Sequence, residues 1–132
     1  VFGAGPLIPT VVPPHLTVFD QFDEALRWKP DVIYLLRLQL ERQKANFFPS
    51  MREYHRVFGI TAERFREIQD QGIYIMHPGP VNRGVELIDE VMEYDRCLIN
   101  RQVENGIAVR MSVLYLLHLA VGEKTPEPLE AA

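Results

Sequence analysis

The sequence has 132 residues, a net charge of −4 and 47% hydrophobic residues, as expected for one globular domain. The negative charge argues against a nucleic-acid-binding surface, and the longest apolar segment, residues 107–121, is too short to predict a membrane span. The one cysteine, Cys97, excludes an internal disulfide framework and agrees with a cytoplasmic location. The chain opens at Val1 with strand-like residues and a turn, so we expect it to be part of a longer protein.

The amino-terminal part predicts short strands separated by helical or proline-rich segments. Residues 1–2 and 17–19 predict strands, and three prolines restrict residues 7–16 to a short, broken helix. Asp20 is the candidate cap of a helix over residues 21–28. This alternation of strand and helix is typical of an α/β fold.

An apolar run over residues 31–36 is the centre of the prediction, because it is typical of a strand covered on both faces. The run stops at Arg37, which is followed by Gln39 and Glu41. Ligands of open parallel sheets lie beyond the carboxyl ends of the strands, where a guanidinium can hold a carboxylate by two parallel hydrogen bonds. Arg37 is therefore a candidate carboxylate-binding residue. Alternatively, it only marks the point where the strand leaves the core.

The middle of the chain continues the alternation. Ser50 and Thr61 are the predicted N-caps of helices over residues 51–58 and 61–70. A short apolar strand is predicted over residues 73–76, directly after a glycine.

The carboxyl-terminal third begins with a loop and ends with a helix. Residues 77–86 predict a loop built on two prolines and two glycines, and residues 87–94 predict one or two helical turns. Residues 97–102 predict a short strand that begins with a buried cysteine. Asn105 is the predicted cap of a helix over residues 106–121, which is apolar on nearly all sides and so is expected to pack into the body.

Metal and nucleotide sites are not predicted. The four histidines lie far apart in sequence, and no cluster has the ligand spacing of a zinc site. No glycine-rich phosphate loop of the nucleotide-binding type is found. The sequence therefore predicts neither a metal nor a cofactor.

Three segments carry a resemblance to a known family. They are the Arg-Leu-Gln-Leu-Glu-Arg segment after the Asp-Val-Ile-Tyr strand, the His-Pro-Gly-Pro loop, and Asn-Gly-Ile-Ala-Val-Arg at residues 105–110. Together they resemble the carboxyl-terminal, aspartate-binding part of the aspartate carbamoyltransferase family over residues 1–119. The sister family that acts on ornithine typically carries His-Cys-Leu-Pro and lacks Arg-x-Gln. Residues 76–80, with residues 82–86 behind them, are similar to bacterial members that assemble with dihydroorotase or an inactive relative of it.

The resemblance implies a doubly wound, mostly parallel α/β sheet flanked by helices and incomplete at its amino terminus. The aspartate-binding domain would span residues 1–122, and residues 123–132 would form a loose tail. The partners implied are a missing amino-terminal carbamoyl-phosphate domain, further copies of the full chain in a homotrimer, and a dihydroorotase or dihydroorotase-like subunit. A cytoplasmic enzyme without metal or cofactor is implied.

The resemblance also implies roles for individual residues. Arg37 and Gln39 would bind aspartate, while Glu41 either orients Arg37 or is a solvated surface acid. The backbone carbonyls of one loop would bind carbamoyl phosphate and the amine of aspartate; its residues are Pro78, Gly79 and Pro80. Other members carry leucine in place of the loop glycine, a change that a backbone contact tolerates. The Gly79–Pro80 bond is expected to be cis.

The activity implied is transfer of the carbamoyl group of carbamoyl phosphate to L-aspartate, a step of pyrimidine synthesis. The family's Ser-Thr-Arg-Thr phosphate loop is not found in these 132 residues, so we expect the chain alone to be inactive. Two other functions stay open: a stand-alone binding module for an amino acid or dicarboxylate, and an assembly domain without catalysis. A stand-alone module would bind aspartate tightly by itself, whereas part of a shared site would not.

Overall fold

The computed structural model describes residues 1–5, 8–38 and 50–122. Helices and strands alternate along these residues, which confirms the predicted α/β class. The elements are α1 (Phe22–Arg27), β1 (Val32–Tyr34), α2 (Met51–Phe58), α3 (Ala62–Gln71), β2 (Tyr74–Met76), a short 3₁₀ helix (Asp89–Glu93) and α4 (Ile99–Gly122).

The two strands lie side by side in parallel, with Ile33 opposite Ile75. A parallel pair cannot be joined by a tight turn, and the connection from β1 to β2 contains α2 and α3. Single parallel bridges extend the arrangement; they join Phe2 to Phe19, Ile60 to Leu87 and Ile75 to Cys97. Parallel pairing with helices in the crossover is the arrangement expected of the predicted sheet.

The core is aliphatic and lies around β2 and α3. Its fully buried side chains are Leu26, Ile60, Ile68, Ile73, Ile75, Leu87 and Val91. The ring of Phe65 from α3 meets Tyr94 edge to face, with 5.6 Å between the ring centroids. Helix α1 packs against α3 and contributes Phe22 and Leu26. This core holds β2 in place, and with it the loop that follows the strand.

Local capping explains the bounds of α2 and α3. The hydroxyl of Ser50 accepts a hydrogen bond from the backbone N–H of Glu53 at 3.1 Å. Thr61 accepts one from the N–H of Arg64 at 3.4 Å, and α3 ends at Gly72 with φ +68°. These interactions satisfy backbone groups that a helix end leaves unpaired. Both helices were predicted correctly for this reason.

The prediction for the first 28 residues was less accurate. Residues 8–16 form turns and bends rather than a broken helix, and residues 17–19 contribute one bridge, at Phe19. Helix α1 is capped by the backbone of Gln21, not by Asp20, and Gln21 makes no side-chain cap bond. Three prolines in residues 8–16 remove the backbone donors that a helix would need.

The apolar run over residues 31–36 is not covered on both faces. Ile33 and Leu35 are half-buried against the core, while Val32 and Tyr34 on the other face are 43% and 52% exposed. The prediction of a doubly covered strand is therefore wrong for the described residues. Unbroken hydrophobicity indicates that both faces need cover, but the cover itself must come from other segments.

Helix α4 begins at Ile99, so the predicted strand over residues 97–102 is wrong. The N–H of Gln102 donates to the carbonyl of Leu98 at 2.8 Å, which is a helical bond. Cys97 makes one parallel bridge and is half-buried, and Asn105 lies inside the helix rather than at its cap. Asparagine is a common cap residue, but here the helix has already begun six residues earlier.

Helix α4 does not pack into the body as predicted. Beyond Gly106 its apolar side chains stay exposed; Leu114 and Tyr115, for example, are 67% and 64% accessible. Among the described residues, no helix is long and apolar enough to cross a membrane. The helix thus presents an apolar surface that the described residues leave uncovered.

Gly59 ends α2 because of a close approach and not because of a left-handed turn. Its φ is −83°, which any residue can adopt. A Cβ at this position would lie 2.7 Å from the carbonyl oxygen of Val85 and 2.8 Å from that of His55. The next residue, Ile60, donates its N–H to the backbone carbonyl of Glu86 at 2.9 Å. The missing side chain therefore lets α2 lie against the 82–86 segment.

Gly59→Ala is expected to lower the free energy of unfolding by about 1–3 kcal/mol, the usual cost of forcing an extra atom into packed structure. Gly5→Ala is the matched control, because no atom of the described residues lies within 4 Å of the added Cβ. The control should stay within about 0.5 kcal/mol of the parent. Urea unfolding of both variants measures the difference, and equal stabilities would contradict the close-approach explanation.

Candidate functional site

The parallel pairing of β1 and β2 brings the two candidate segments to one edge of the sheet. Arg37 follows β1 by three residues, and His77 follows β2 directly. The N–H of Leu35 donates to the carbonyl of Met76 at 2.9 Å, so the pairing continues to the strand ends. The carboxyl edge of a parallel sheet is the usual position of a ligand site in α/β folds.

A buried carboxylate, Glu86, joins these segments. Its side chain is 2% exposed and accepts hydrogen bonds at both oxygens. Oε1 accepts from the N–H of Leu38 at 2.7 Å and from Nδ2 of Asn82 at 2.8 Å, and Oε2 accepts from the N–H of Asn82 at 2.7 Å. Nδ2 of Asn82 also donates to the carbonyl of Leu38 at 3.2 Å. Leu38 is the neighbour of Arg37, so the strand end is bound to the loop region through Glu86.

His77 connects Glu86 to the proline loop. Its ring is fully buried, and Nδ1 accepts a hydrogen bond from the N–H of Gly79 at 2.9 Å. Because Nδ1 is the acceptor, the neutral ring carries its proton on Nε2. Nε2 lies 3.3 Å from Oε2 of Glu86, a close electrostatic contact whose alignment falls short of a hydrogen bond. The backbone N–H of His77 donates to Gln102 of α4 at 3.0 Å.

The pKa of Glu86 reflects this environment. Burial by itself raises the pKa of a carboxyl group, because it disfavours the charged form. The contact with His77 and the hydrogen bonds from Asn82 and Leu38 favour the carboxylate more strongly, so the pKa of Glu86 is lowered. Glu86 is therefore a buried negative charge at neutral pH, stabilised by donors from two chain segments.

Arg37 lies at the side of a cavity of about 510 Å³. The volume falls within the range of small-ligand pockets, about 300–1,000 Å³. Among the described residues most of the lining is apolar, and its charged side chains are Arg37 and Glu86. Tyr54 from α2 also lines the cavity, and its pKa is raised by burial and by the charge of Glu86. A dicarboxylate would need more cationic side chains than the described residues of this cavity offer.

The predicted site residues fall into two groups. Arg37 and the three loop residues are described, whereas Gln39 and Glu41 lie outside the described residues. In the loop, the Gly79–Pro80 peptide bond is cis, as expected, and Gly79 has φ +67°. The loop residues are Pro78 and Pro80, which are exposed, and Gly79, which is half-buried.

Sequence reasoning did not assign a role to Glu86, Asn82 or Gln102. An acid in a glycine-containing loop has the pattern of a solvated residue, and its partner Leu38 is 48 positions away. The one local signal is the spacing of four residues between Asn82 and Glu86. In the described part of the chain, no group of three or more histidine, cysteine or acidic side chains is placed to hold a metal ion.

A parallel α/β sheet with an arginine and a proline loop at its carboxyl edge defines a ligand-binding domain of the open α/β class. Residues 14–117 match the family described as aspartate/ornithine carbamoyltransferase, Asp/Orn binding domain. The chain belongs to this family.

Curated relatives agree with the match. The chain is similar to the aspartate carbamoyltransferase catalytic subunit of Akkermansia muciniphila, with 62% identity over 115 residues, which cover 87% of this chain and 37% of the relative. The subunit of the same name from Gemmatimonas aurantiaca is 47% identical over 133 residues, covering 100% of this chain and 40% of the relative. That of Acetivibrio thermocellus is 50% identical over 119 residues, covering 86% and 37%. The chain thus spans about two fifths of the length of these relatives.

The pKa of the Glu86 carboxyl group is expected to lie below the usual value of 4.5 in spite of its burial. A lowered pKa in the folded state contributes stability above the pKa of the unfolded state, and this stability is lost as pH falls through the folded pKa. NMR titration of protein labelled with ¹³C at the glutamate carboxyl carbon measures this pKa, and the Glu86→Gln variant assigns the signal. A midpoint above 4.5 would mean that burial outweighs the donors.

Proposed function

We propose that this chain is the aspartate-binding domain, residues 1–122, of an aspartate carbamoyltransferase catalytic subunit. The complete subunit would transfer the carbamoyl group of carbamoyl phosphate to L-aspartate, giving N-carbamoyl-L-aspartate and phosphate. The observation that carries the proposal is that β1 and β2 end at one edge, in Arg37 and the 77–80 loop. The names of the relatives support the choice of aspartate over ornithine.

The reaction needs an amine brought against a carbonyl carbon. The amine nitrogen of aspartate forms a bond to the carbonyl carbon of carbamoyl phosphate, and the tetrahedral intermediate expels phosphate as the carbon–oxygen bond breaks. The proton that the nitrogen loses leaves with the phosphate. Arg37 would hold a carboxylate of aspartate by a bidentate contact, with Gln39 beside it. The carbonyls of residues 78–80 would accept hydrogen bonds from the amine and from the amide of carbamoyl phosphate. Alignment of two reactants contributes up to about 7–11 kcal/mol.

The phosphate half of the site would come from elsewhere in the subunit. Stabilising a departing phosphate requires several preorganised cations and donors, and the cavity at Arg37 is mostly apolar. The exposed apolar surface of α4 and the exposed face of β1 support a large covering partner. We assign this role to an amino-terminal carbamoyl-phosphate domain.

The wider assembly is also part of the proposal. Complete chains would form a homotrimer in the cytoplasm and serve pyrimidine synthesis. The Asn-Arg-Gly-Val-Glu stretch at residues 82–86 supports the bacterial type that assembles with a dihydroorotase or a related subunit. Glu41 would orient Arg37 from the segment that follows it.

Arg37→Ala in the full-length subunit is expected to lower kcat/KM for aspartate at least about tenfold to hundredfold. The reason is the loss of a charge-assisted hydrogen bond, which costs about 1.5–3 kcal/mol. Arg37→Lys should also be impaired, because an ammonium cannot reproduce the planar fork. Steady-state kinetics with aspartate as the varied substrate measure both variants.

Arg66→Ala is the matched control, because it removes an exposed arginine from α3. It should leave the aspartate kinetics unchanged. Arg37→Ala and Arg66→Ala should both keep the affinity for carbamoyl phosphate. Near-normal aspartate kinetics in Arg37→Ala would contradict the carboxylate-binding role and favour the alternative, in which Arg37 only marks the point where the strand leaves the core.

The 132-residue chain by itself is expected to show no transferase activity and no tight aspartate binding, because it would supply only part of the shared site. Calorimetric titration with aspartate and a carbamoyl-transfer assay test this directly. Tight binding of aspartate to the isolated chain would favour the stand-alone binding module instead.

A further inference from the structure

We propose that Glu86 is a positioning residue that sets the distance between Arg37 and the 77–80 loop. The inference rests on the proposed function, because it assigns these two segments to the same substrate. It concerns a side chain that touches neither substrate and acts through the segments that do.

The first link runs from Glu86 to the strand end. Oε1 accepts the N–H of Leu38 at 2.7 Å, and that peptide unit is the one that joins Leu38 to Arg37. Leu38 is itself buried, at 7% exposure, so its backbone has little freedom once this bond forms. The direction in which Arg37 leaves the chain therefore depends on Glu86.

The second link runs from Glu86 to the loop. Oε2 accepts the N–H of Asn82 at 2.7 Å and lies 3.3 Å from Nε2 of His77. His77 in turn accepts the N–H of Gly79 at Nδ1, in the middle of the loop. One carboxyl group thus contacts both segments, in addition to the direct bond from Nδ2 of Asn82 to the carbonyl of Leu38.

The chemistry of this position requires a carboxylate. Both oxygens face donors, and a carboxylate accepts at both without offering a hydrogen of its own. A glutamine would turn its NH₂ group toward one set of these donors, leaving two donors facing each other at a buried site. The amide therefore keeps the shape of the side chain and breaks one of the two links.

Backbone hydrogen bonds and buried neighbours stabilise the fold at this position without the Glu86 side chain. A change of the side chain can therefore affect the positions of the site segments without unfolding the domain. The backbone carbonyl of Glu86 accepts from Ile60, and its N–H donates to the carbonyl of Asn82; both bonds survive a side-chain change. Ile60 and Leu87 next to them are fully buried and pair in parallel. The side chain of Glu86 is directed to the site segments rather than to this core.

The test is a double-mutant cycle in the full-length catalytic subunit. Glu86→Gln should raise KM for aspartate, lower kcat, and reduce kcat/KM at least about tenfold, since misplacing a substrate group affects both parameters. In an Arg37→Lys background the same change should cost less than about threefold, because the aligned contact is already lost. Glu90→Gln, an exposed carboxylate four residues away, is the control and should match the parent.

The outcomes are distinct. Unchanged aspartate kinetics in Glu86→Gln, or a full tenfold loss in both backgrounds, would overturn the inference, since the second result is what a general structural defect produces. If Glu86→Gln does not fold, Asn82→Ala takes its place, because it removes the donor that links Leu38 to Glu86. If the parent subunit does not carbamoylate aspartate at all, the proposed function fails first. A normal parent with an impaired Arg37→Ala and an unaffected Glu86→Gln rejects the positioning role alone.

Discussion

A carboxylate taken out of water has to be compensated by donors, and this requirement shapes the site edge of the domain. Leaving the Glu86 side chain buried without partners would cost several kcal/mol, more than most single contacts contribute. Its hydrogen-bond donors belong to Leu38 after one strand and to Asn82 after the next, where His77 also lies in close electrostatic contact. The charge is therefore satisfied only when these segments converge. The same convergence places the segment that carries Arg37 and the segment that carries the proline loop at one edge of the sheet.

The exposed apolar surfaces follow a different rule. The Val32 face of β1 and the carboxyl-terminal half of α4 have compositions typical of buried elements, yet they are exposed. Segments with such hydrophobic patterns are normally covered, and contiguous exposed apolar patches mark surfaces that bind a partner. The chain spans about two fifths of its relatives' length, and the proposed amino-terminal domain would be the cover for β1 and α4.

The sequence predicted the elements whose signals are local. Helices α2 and α3 begin at a Ser and a Thr whose hydroxyls bond within the next turn, so a few residues determine each start. The start of α4 was missed because Asn105 has the pattern of a cap but lies within the helix. Arg37 could be singled out because it interrupts an apolar run. Glu86 could not, because its burial depends on contacts with a segment 48 residues away.

The proline loop shows why a side-chain change can leave a site intact. If the loop acts through backbone carbonyls, its contacts depend on the path of the backbone rather than on the side chain between the prolines, and in this chain the path is one that favours glycine. Gly79 has φ +67°, and an added Cβ would lie 3.0 Å from Cγ2 of Val103 in α4. Helix α4 therefore approaches the loop closely from one side, where Gln102 also accepts the N–H of His77. Glu86 also holds the backbone N–H of Asn82, just after the loop, so neighbouring segments as well as the loop's own glycine and prolines determine its path.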